Sequence, residues 1–280
     1  MSEQPQRDAL VEQAWRTYLT TGEFPDFMWR FGYQFQDFRR VMTMLPTGPR
    51  CSVCGAPFHG IGSRLVRLVL GRNRSKLNPK LCNGCEQFAI KYQGGAEVEL
   101  SMLFADVRGS TGLAEKTSAG EFSHLINRFY KATTEVLIHS NALIEKMIGD
   151  EVAGLYVPGF AGPGHARVAV DAARQMLRAT GHADPGGPWI PVGVGVHTGT
   201  AFVGAVGSEE GVADITALGD AVNTAARLAA QAGPGEAIVS EEACAAAGLD
   251  PGGVEKRRLQ LKGRSEPVDV RVIRVAPGSA

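Results

Sequence analysis

The 280-residue sequence has no net charge, because 29 lysine and arginine residues balance 29 aspartate and glutamate residues. A protein without an overall charge has no long-range field that draws it to nucleic acid or to a membrane. The first residues, MSEQPQRDAL, lack the basic stretch and apolar core of a secretory signal peptide. These absences predict a cytoplasmic protein with reduced cysteines.

Long hydrophobic runs, internal repeats and low-complexity tracts are also missing. The longest weakly polar run, IPVGVGVHTGTAFVGAVG at residues 190–207, is interrupted by glycines and by His197. A membrane-spanning helix needs about 20 predominantly apolar residues. We therefore expect no membrane partner and predict that residues 190–207 form two strands joined by a turn.

The charged residues are unevenly distributed along the chain. Residues 51–92 contain seven basic residues and one acidic residue, a formal charge of +6, whereas the rest of the chain carries −6. This asymmetry predicts two different units. The basic residues between positions 64 and 80 leave a nucleic-acid contact open. Because no aromatic residues lie among them, a solvated basic face, or one that docks on the acidic remainder, is the favoured interpretation.

Residues 1–50 are predicted to be helical. RDALVEQAWRTYL is amphipathic, and the following stretch repeats large apolar residues at helical spacing. Such a face is typical of packing against the next domain or a second subunit, and a cofactor pocket is the alternative. The repeated residues are Met28, Phe31, Phe35, Phe38 and Met42.

Residues 51–95 contain two C-x2-C motifs, Cys51/Cys54 and Cys82/Cys85, separated by 27 residues. The stretch QGGAE at 93–97, which overlaps the end of this segment, is predicted to be a short linker. A C-x2-C knuckle turns two thiolates toward one point, and two knuckles complete the tetrahedron that Zn²⁺ prefers. We predict a closed, structural zinc module with four cysteine ligands. An iron–sulfur cluster or a redox pair is the alternative.

From residue 96 to residue 280 the pattern changes to strands that alternate with helices. VELSMLFADV at 98–107 is typical of a buried strand, and ALIEKMIGDEVAGLYV at 142–157 of a hairpin with Gly149-Asp150 at its tip. Helical patterns separate these and the later strands. The order predicts an α+β domain in which helices pack on a mainly antiparallel sheet.

Two aspartates in this domain suggest phosphate chemistry. Asp106 ends a strand, and the Gly109-Ser110-Thr111 turn after it leads into a helix whose free amides favour phosphate. In a sheet, Asp106 can lie beside Asp150, and two carboxylates held together repel unless a cation lies between them. Two divalent ions suit in-line displacement at phosphorus. Taken singly, each aspartate is more typical of a turn or a helix N-cap than of a metal site.

A third motif adds an amide and a guanidinium. Asn223 and Arg227 lie four residues apart in a predicted helix and therefore share one face. Asparagine can hold a ribose oxygen, and arginine can neutralise charge that develops on a phosphoryl group. Lys262, in LKG, is a further candidate contact to terminal phosphates.

Three segments, FADVRGST, EKMIGDEVAGLY and ALGDAVNTAARL, resemble the motifs of the class III nucleotidyl cyclase family in order and spacing. The resemblance covers about residues 96–275. It implies a ferredoxin-like βαββαβ catalytic domain that works as a homodimer with active sites at the interface. It also implies two Mg²⁺ or Mn²⁺ ions per site, held by Asp106 and Asp150.

The resemblance assigns further roles residue by residue. Asn223 and Arg227 match the pair that orients the ribose and stabilises the transition state, and Lys262 is similar to the family's phosphate lysine. Lys146 and Thr216 match the two base-reading positions. The metal aspartates would come from one subunit, and Lys146, Thr216, Asn223 and Arg227 from the other.

The base-reading pair favours ATP. Lysine only donates hydrogen bonds, so Lys146 suits the acceptor N1 of adenine, and Thr216 can accept from the adenine amino group. This lysine–threonine subgroup predicts an adenylate cyclase. The alternatives are a guanylate or pyrimidine nucleotide cyclase, or a non-catalytic partner-binding or nucleic-acid-binding protein that uses the fold as a scaffold.

Overall fold

The computed structural model describes residues 3–23, 35–45, 49–51, 53–76, 78–91, 93–207, 213–250, 252–263 and 266–276. The chain divides into two compact units. The first unit consists of residues 1–98 and 202–217, and the second of residues 99–201 and 218–280. No helix in the described part of the chain is long and apolar enough to cross a lipid bilayer.

The first unit contains two helices before the cysteine motifs, one between them and one that begins within the second motif. The predicted amphipathic helix is present and buries Ala14, Tyr18 and Leu19. The second predicted helix is seen only from Phe35 onward, because its aromatic first part at residues 24–34 lies outside the described residues. The helices of this unit are α1 (Glu3–Thr21), α2 (Phe35–Met44), α3 (Gly60–Leu70) and α4 (Asn83–Lys91).

Helix α1 packs against the beginning of the first strand, β1 (Gly94–Val107). The guanidinium group of Arg16 donates to the carbonyl oxygen of Glu97 at 2.7 Å. The prediction of a linker at 93–97 is therefore wrong from Gly94 onward. The glycines that suggested a linker permit close packing instead: a methyl group at Gly95 would overlap the backbone of Val203.

The strands after β1 are β2 (Leu143–Ile148), β3 (Glu151–Tyr156), β4 (Val192–Gly207), β5 (Ala213–Leu218), β6 (Glu236–Ser240), β7 (Glu255–Leu259) and β8 (Val268–Arg274). The main sheet has the strand order β2-β3-β1-β4-β6-β8-β7, with β5 beside β4. Strands β2 and β3 pair antiparallel, as do β1 and β3, whereas β4 and β6 are parallel. The spatial order of the first four strands is that of a ferredoxin-like βαββαβ core, so the predicted α+β class is confirmed.

Helices of the second unit cover the sheet and bury its core. A capping box between Ser118 and Glu121 fixes the start of the longest of them. Its apolar face, which includes Phe129 and Leu137, packs in one cluster with the alanine-rich face of a later helix and the sheet. The helices are α5 (Ser110–Lys116), α6 (Ala119–His139), α7 (Pro158–Ala161), α8 (His165–Ala179), α9 (Asp220–Gln231) and α10 (Glu241–Ala246).

The prediction of two strands joined by a turn at residues 190–207 is wrong, because β4 is one continuous strand from Val192 to Gly207. Its glycines suggested a turn, but two of them permit close packing. A methyl group at Gly195 would overlap the backbone of Ala225 and Ala229 in helix α9. One at Gly204 would overlap the backbone of Gly94. The close approach at Gly195 fixes the height of α9 above the sheet.

Candidate functional sites

The four cysteines of the two C-x2-C motifs converge on one point in the first unit. Their sulfur atoms lie within 4.8 Å of one another, and all four residues are buried. The sulfurs of Cys54 and Cys82 are 3.7 Å apart. That distance matches the edge, about 3.8 Å, of a tetrahedron with zinc–sulfur bonds of about 2.3 Å. The geometry therefore fits a tetrahedral metal ion.

Local backbone structure forms each knuckle. In the first, the amide of Gly55 donates to the carbonyl oxygen of Cys51 at 2.9 Å, and the φ of +72° at Gly55 favours glycine. In the second, the amide of Cys85 donates to the carbonyl oxygen of Cys82 at 3.0 Å as helix α4 begins. Helix α3 lies in the spacer, so the long separation between the motifs holds a regular element.

The electrostatics of the cluster would favour a bound cation. Hydrogen bonds with the Cys51 and Cys54 thiols hold the pKa of Cys82 well below its usual range. Hydrogen bonds with the same two neighbours, together with burial, raise the pKa of Cys85. The four sulfurs therefore cannot all ionise together unless a positive ion joins them, as a zinc ion does.

The second unit brings the two predicted metal aspartates together. Asp106, near the end of β1, lies opposite Glu151 in the antiparallel pair with β3. The next amide, that of Val107, donates to the carbonyl oxygen of Asp150 at 3.1 Å. Asp106 and Asp150 therefore lie at the same end of two adjacent strands, and carboxylates in that arrangement suit Mg²⁺ or Mn²⁺.

The hairpin that carries Asp150 has a two-residue turn. Ile148 pairs with Glu151, so Gly149 and Asp150 form the tip. Gly149 has a φ of +64°, a conformation that favours glycine, and open space surrounds it. The hydroxyl group of Tyr130, from helix α6, donates to the carbonyl oxygen of Gly149 at 2.9 Å and holds the tip.

Arg108, which was not among the predicted site residues, lies beside Asp106. Its guanidinium group forms an ion pair with the carboxylate of Asp106. The same group donates to the carbonyl oxygen of Ala230, near the end of helix α9, at 3.0 Å. Its backbone amide donates to the carbonyl oxygen of Pro191 at 2.8 Å. Arg108 thus connects Asp106, a predicted metal ligand, to the helix that carries Asn223 and Arg227.

Glu151, also missed, adds a third carboxylate. Burial raises the pKa of Asp106, an effect that the Arg108 guanidinium opposes and the Asp150 carboxylate reinforces. Burial and the Asp106 carboxylate raise the pKa of Glu151. Three carboxylates and one guanidinium group therefore lie at this end of the sheet, and a divalent cation would be stabilised among them.

The predicted phosphate turn lies directly after β1. Gly109 has a φ of +69°, and its carbonyl oxygen accepts from the amide of Leu113 at 3.0 Å as α5 begins. The amides of Ser110 and Thr111 belong to the first turn of this short helix, where backbone N–H groups have no partner within the helix.

Helix α9 presents Asn223 and Arg227 one turn apart, with Asn223 exposed and Arg227 half-buried. The turn that follows β7 approaches the arginine: a methyl group on Gly263 would lie 3.4 Å from a terminal nitrogen of Arg227. Lys262 is exposed in that turn. The turn that carries Lys262 therefore lies beside Arg227, which is one helical turn after Asn223 on α9.

The two base-reading candidates lie in different units. Lys146 is exposed on β2, directly after a bulge at which Glu145 is the extra residue. The ammonium group of Lys146 lies 3.5 Å from the carboxylate of Glu145, whose side chain is fully buried. Glu145 was not predicted, because a β-bulge does not change the hydrophobic pattern of a short strand in a recognisable way. Thr216, on β5, belongs to the first unit and is half-buried.

Comparison with known families matches residues 93–270 to the model described as "Adenylate and Guanylate cyclase catalytic domain". A protein from Anabaena cylindrica named adenylate cyclase is 31% identical over 133 residues, which are 46% of this chain. The alignment spans 26% of that relative, so the chain corresponds to about a quarter of its length.

Two solved structures share the fold. The guanylyl cyclase Cya2 superposes with a TM-score of 0.59 at 26% identity, covering 66% of this chain and 95% of Cya2. The adenylyl cyclase CyaB from P. aeruginosa superposes with a TM-score of 0.56 at 25% identity, covering 66% of this chain and 99% of CyaB. The neighbours thus include enzymes named for either purine.

Proposed function

The chain belongs to the family of adenylate and guanylate cyclase catalytic domains, and on that premise we propose that it is an adenylate cyclase of the lysine–threonine subgroup. It converts ATP into 3′,5′-cyclic AMP and pyrophosphate. The observation that carries the proposal is the pairing of the Asp106 and Asp150 segments on adjacent strands within the matched region. That pairing supports two-metal-ion catalysis.

Asp106 and Asp150 would hold two divalent ions, Mg²⁺ or Mn²⁺, which when bound lower the pKa of the ribose 3′-hydroxyl group and offset phosphate charge. In the reaction the 3′-oxygen bonds to the α-phosphorus, the bond from that phosphorus to the bridging oxygen breaks, and pyrophosphate leaves with the bonding electrons. The hydroxyl proton passes to solvent. Asn223 orients the ribose, and Arg227 stabilises charge on the phosphoryl group.

Contacts to the rest of the nucleotide follow the same resemblance. Lys146 donates to adenine N1, and Thr216 accepts from the adenine amino group. The amides of Gly109, Ser110 and Thr111 bind phosphate. Lys262 binds the terminal phosphates, an assignment that its position beside Arg227 supports.

The substrate is tested by incubating the purified full-length protein separately with ATP, GTP, CTP and UTP, in Mg²⁺ and in Mn²⁺. We expect cyclic AMP from ATP. Asp106→Asn should lower turnover about a thousandfold, since several kcal/mol of transition-state stabilisation by metal are lost. The matched control is Asp171→Asn, which changes a carboxylate paired with Arg174 on helix α8 and should leave turnover unchanged. Cyclic GTP as the main product would keep the mechanism and refute the base assignment.

We further propose a homodimer in which each site combines the metal aspartates of one subunit with Asn223 and Arg227 of the other. Asp106→Asn and Arg227→Ala should each be nearly inactive. When the two are mixed and allowed to exchange subunits, half of the dimers contain one intact site. Activity should then return to about a quarter of wild type by random pairing. No recovery in a mixture proven to exchange would rule out shared sites.

The cysteine module is proposed to hold one structural Zn²⁺ ion through Cys51, Cys54, Cys82 and Cys85. The 3.7 Å sulfur–sulfur distance supports it. With four protein ligands such a centre is closed and leaves no position for substrate. Elemental analysis of the purified protein should give one zinc per chain, whereas iron together with visible absorption would favour an iron–sulfur cluster.

A cytoplasmic location belongs to the same proposal, since reduced thiols are maintained there. A nucleic-acid contact through residues 64–80 is not part of it. Two of the basic residues in that stretch have partners inside the module: Arg72 contacts the cysteine sulfurs, and Arg74 donates to the carbonyl oxygen of Pro79 at 2.8 Å.

A further inference from the structure

The side chain of Arg72 reaches the cysteine cluster from outside the two C-x2-C motifs. One terminal nitrogen of its guanidinium group donates to the sulfur of Cys82 at 3.5 Å and to that of Cys85 at 3.6 Å. A single cationic group therefore bonds to both sulfurs of the second knuckle. Arginine is suited to this contact because its fork of donors has a fixed geometry and is always charged.

The two residues between Cys82 and Cys85 accommodate and position the Arg72 side chain. Gly84 leaves room: a methyl group there would lie 3.2 Å from the central guanidinium carbon of Arg72. The Asn83 side chain bonds to the residues directly before and after Arg72. Its oxygen accepts from the amide of Asn73 at 2.9 Å. Its side-chain amide also donates to the carbonyl oxygen of Gly71 at 3.2 Å.

The guanidinium group also meets helix α2. Its central carbon lies 4.9 Å from the centre of the Phe38 ring, a distance typical of a cation–π contact. The chain reaches this position because α3 ends in a left-handed residue, Gly71, with a φ of +64°. Arg72 therefore contacts the sulfurs and an N-terminal helix at once.

Charge explains why such a residue is needed. Four thiolates around one Zn²⁺ ion carry a formal charge of about −2, and burying uncompensated charge is costly. A guanidinium hydrogen-bonded to two of the sulfurs halves that charge and still leaves every sulfur able to bind the metal. Partners outside the ligand shell commonly tune metal affinity by 10- to 100-fold.

We propose that Arg72 is the fifth residue of the four-cysteine centre, a positioning residue that neutralises the Cys82 and Cys85 thiolates and ties helix α2 to the bound metal. The inference rests on the proposed zinc centre. It goes further in naming a residue outside the C-x2-C pattern, and in making Asn83 and Gly84 the parts of the knuckle that hold it.

The test measures zinc affinity of the full-length, zinc-loaded protein by competition with a chromogenic chelator. Arg72→Gln should bind zinc about tenfold or more weakly, and Arg72→Lys should lie between, because lysine keeps the charge but not the fork. Arg67→Gln, an equal charge change at an exposed position of α3, is the matched control and should match wild type.

A second variant preserves the arginine. Gly84→Ala keeps every charge but pushes the guanidinium away, so we expect weaker zinc binding in the same direction. Gly120→Ala, at a helical glycine with open space around it, is its control. Wild-type zinc affinity in Arg72→Gln and Gly84→Ala would overturn the role of Arg72 and leave the zinc centre standing. A wild-type protein that binds no zinc would overturn both.

Discussion

The two candidate metal sites of this chain differ in the chemistry and the burial of their ligands. In the first unit, four cysteines are buried to 5% exposure or less. In the second, the Asp106 side chain is 25% exposed, at the open end of two strands. Soft, buried and complete ligand sets hold a metal permanently, whereas hard, half-exposed carboxylates leave positions for water and phosphate. The difference is the one expected between the proposed structural site and the proposed catalytic site.

An arginine contacts a predicted metal ligand in each site, and these two arginines differ in their contacts. Arg72 donates to sulfurs that still face the metal position, so it stabilises the metal-bound state. Arg108 forms an ion pair with the carboxylate of Asp106, one of the proposed metal ligands. Because the carboxylate cannot give its full charge to both partners, we expect Arg108 to compete with a bound metal and to stabilise the metal-free state.

Substituting one predicted metal ligand in each site should give the largest difference between the two sites. Structural zinc contributes about 10–16 kcal/mol to folding in small zinc modules. We therefore expect Cys82→Ser to abolish zinc binding and to unfold the cysteine module, seen as lost helical circular dichroism. Asp106→Asn should retain the wild-type spectrum. A Cys82→Ser protein with wild-type helicity would show that the module is stable without its metal.

Arg108→Gln tests the competition at the open site. Without the guanidinium, the three neighbouring carboxylates repel one another more strongly and Asp106 is free to bind metal. We expect Mn²⁺ affinity, measured by calorimetry in the absence of nucleotide, to rise about tenfold, as the loss of one charge-assisted hydrogen bond implies. Arg174→Gln is the control at a surface ion pair. Weaker Mn²⁺ binding would mean that Arg108 holds Asp106 in its binding position.

The charge network around Glu236 should give the smallest effect. The Arg257 guanidinium, followed by the amide of Gly233 and Arg274, holds the pKa of Glu236 at about 2 against burial. Because this pKa lies below its ordinary value of 4.5, the stabilisation is present above pH 4.5 and is lost as the pH falls toward 2.

Glu236→Gln should therefore lower the free energy of unfolding by about 1 kcal/mol at pH 7, since both arginines are partly exposed to solvent. The difference from wild type should shrink between pH 4.5 and pH 2, as followed by urea unfolding. A difference that does not depend on pH would assign the effect to packing. Zinc content should be unchanged at neutral pH.

The sequence predicted what depends on local spacing. The cysteine knuckles, the Gly149-Asp150 tip and the amphipathic helices each arise from residues a few positions apart, and the ferredoxin-like order followed from the family motifs. Residues 190–207 were predicted wrongly because glycine marks both turns and close packing. Nothing in the local pattern distinguishes Gly195, which accommodates a helix, from a glycine in a turn.

The missed site residues depend on contacts between distant segments. Glu151 becomes part of the carboxylate group only through its register opposite Asp106. Arg108 acquires its role from Ala230, which lies 122 positions away in the chain. Arg72 lies midway between two motifs and belongs to neither by spacing. Such contacts are set by tertiary packing, which a single sequence does not display.

The close packing of β4 on α9 has a consequence for mutational tolerance. Gly195, Ala225 and Ala229 are buried where the backbones of the two elements touch, and none of them carries a group that could contact a nucleotide. Yet any larger side chain at Gly195 would lift the helix on which Arg227 lies. In a saturation scan we would expect this glycine to be as intolerant as an active-site residue. In evolution, a change there would need compensating changes in the helix, so distance from the chemistry is a poor guide to selective constraint in this fold.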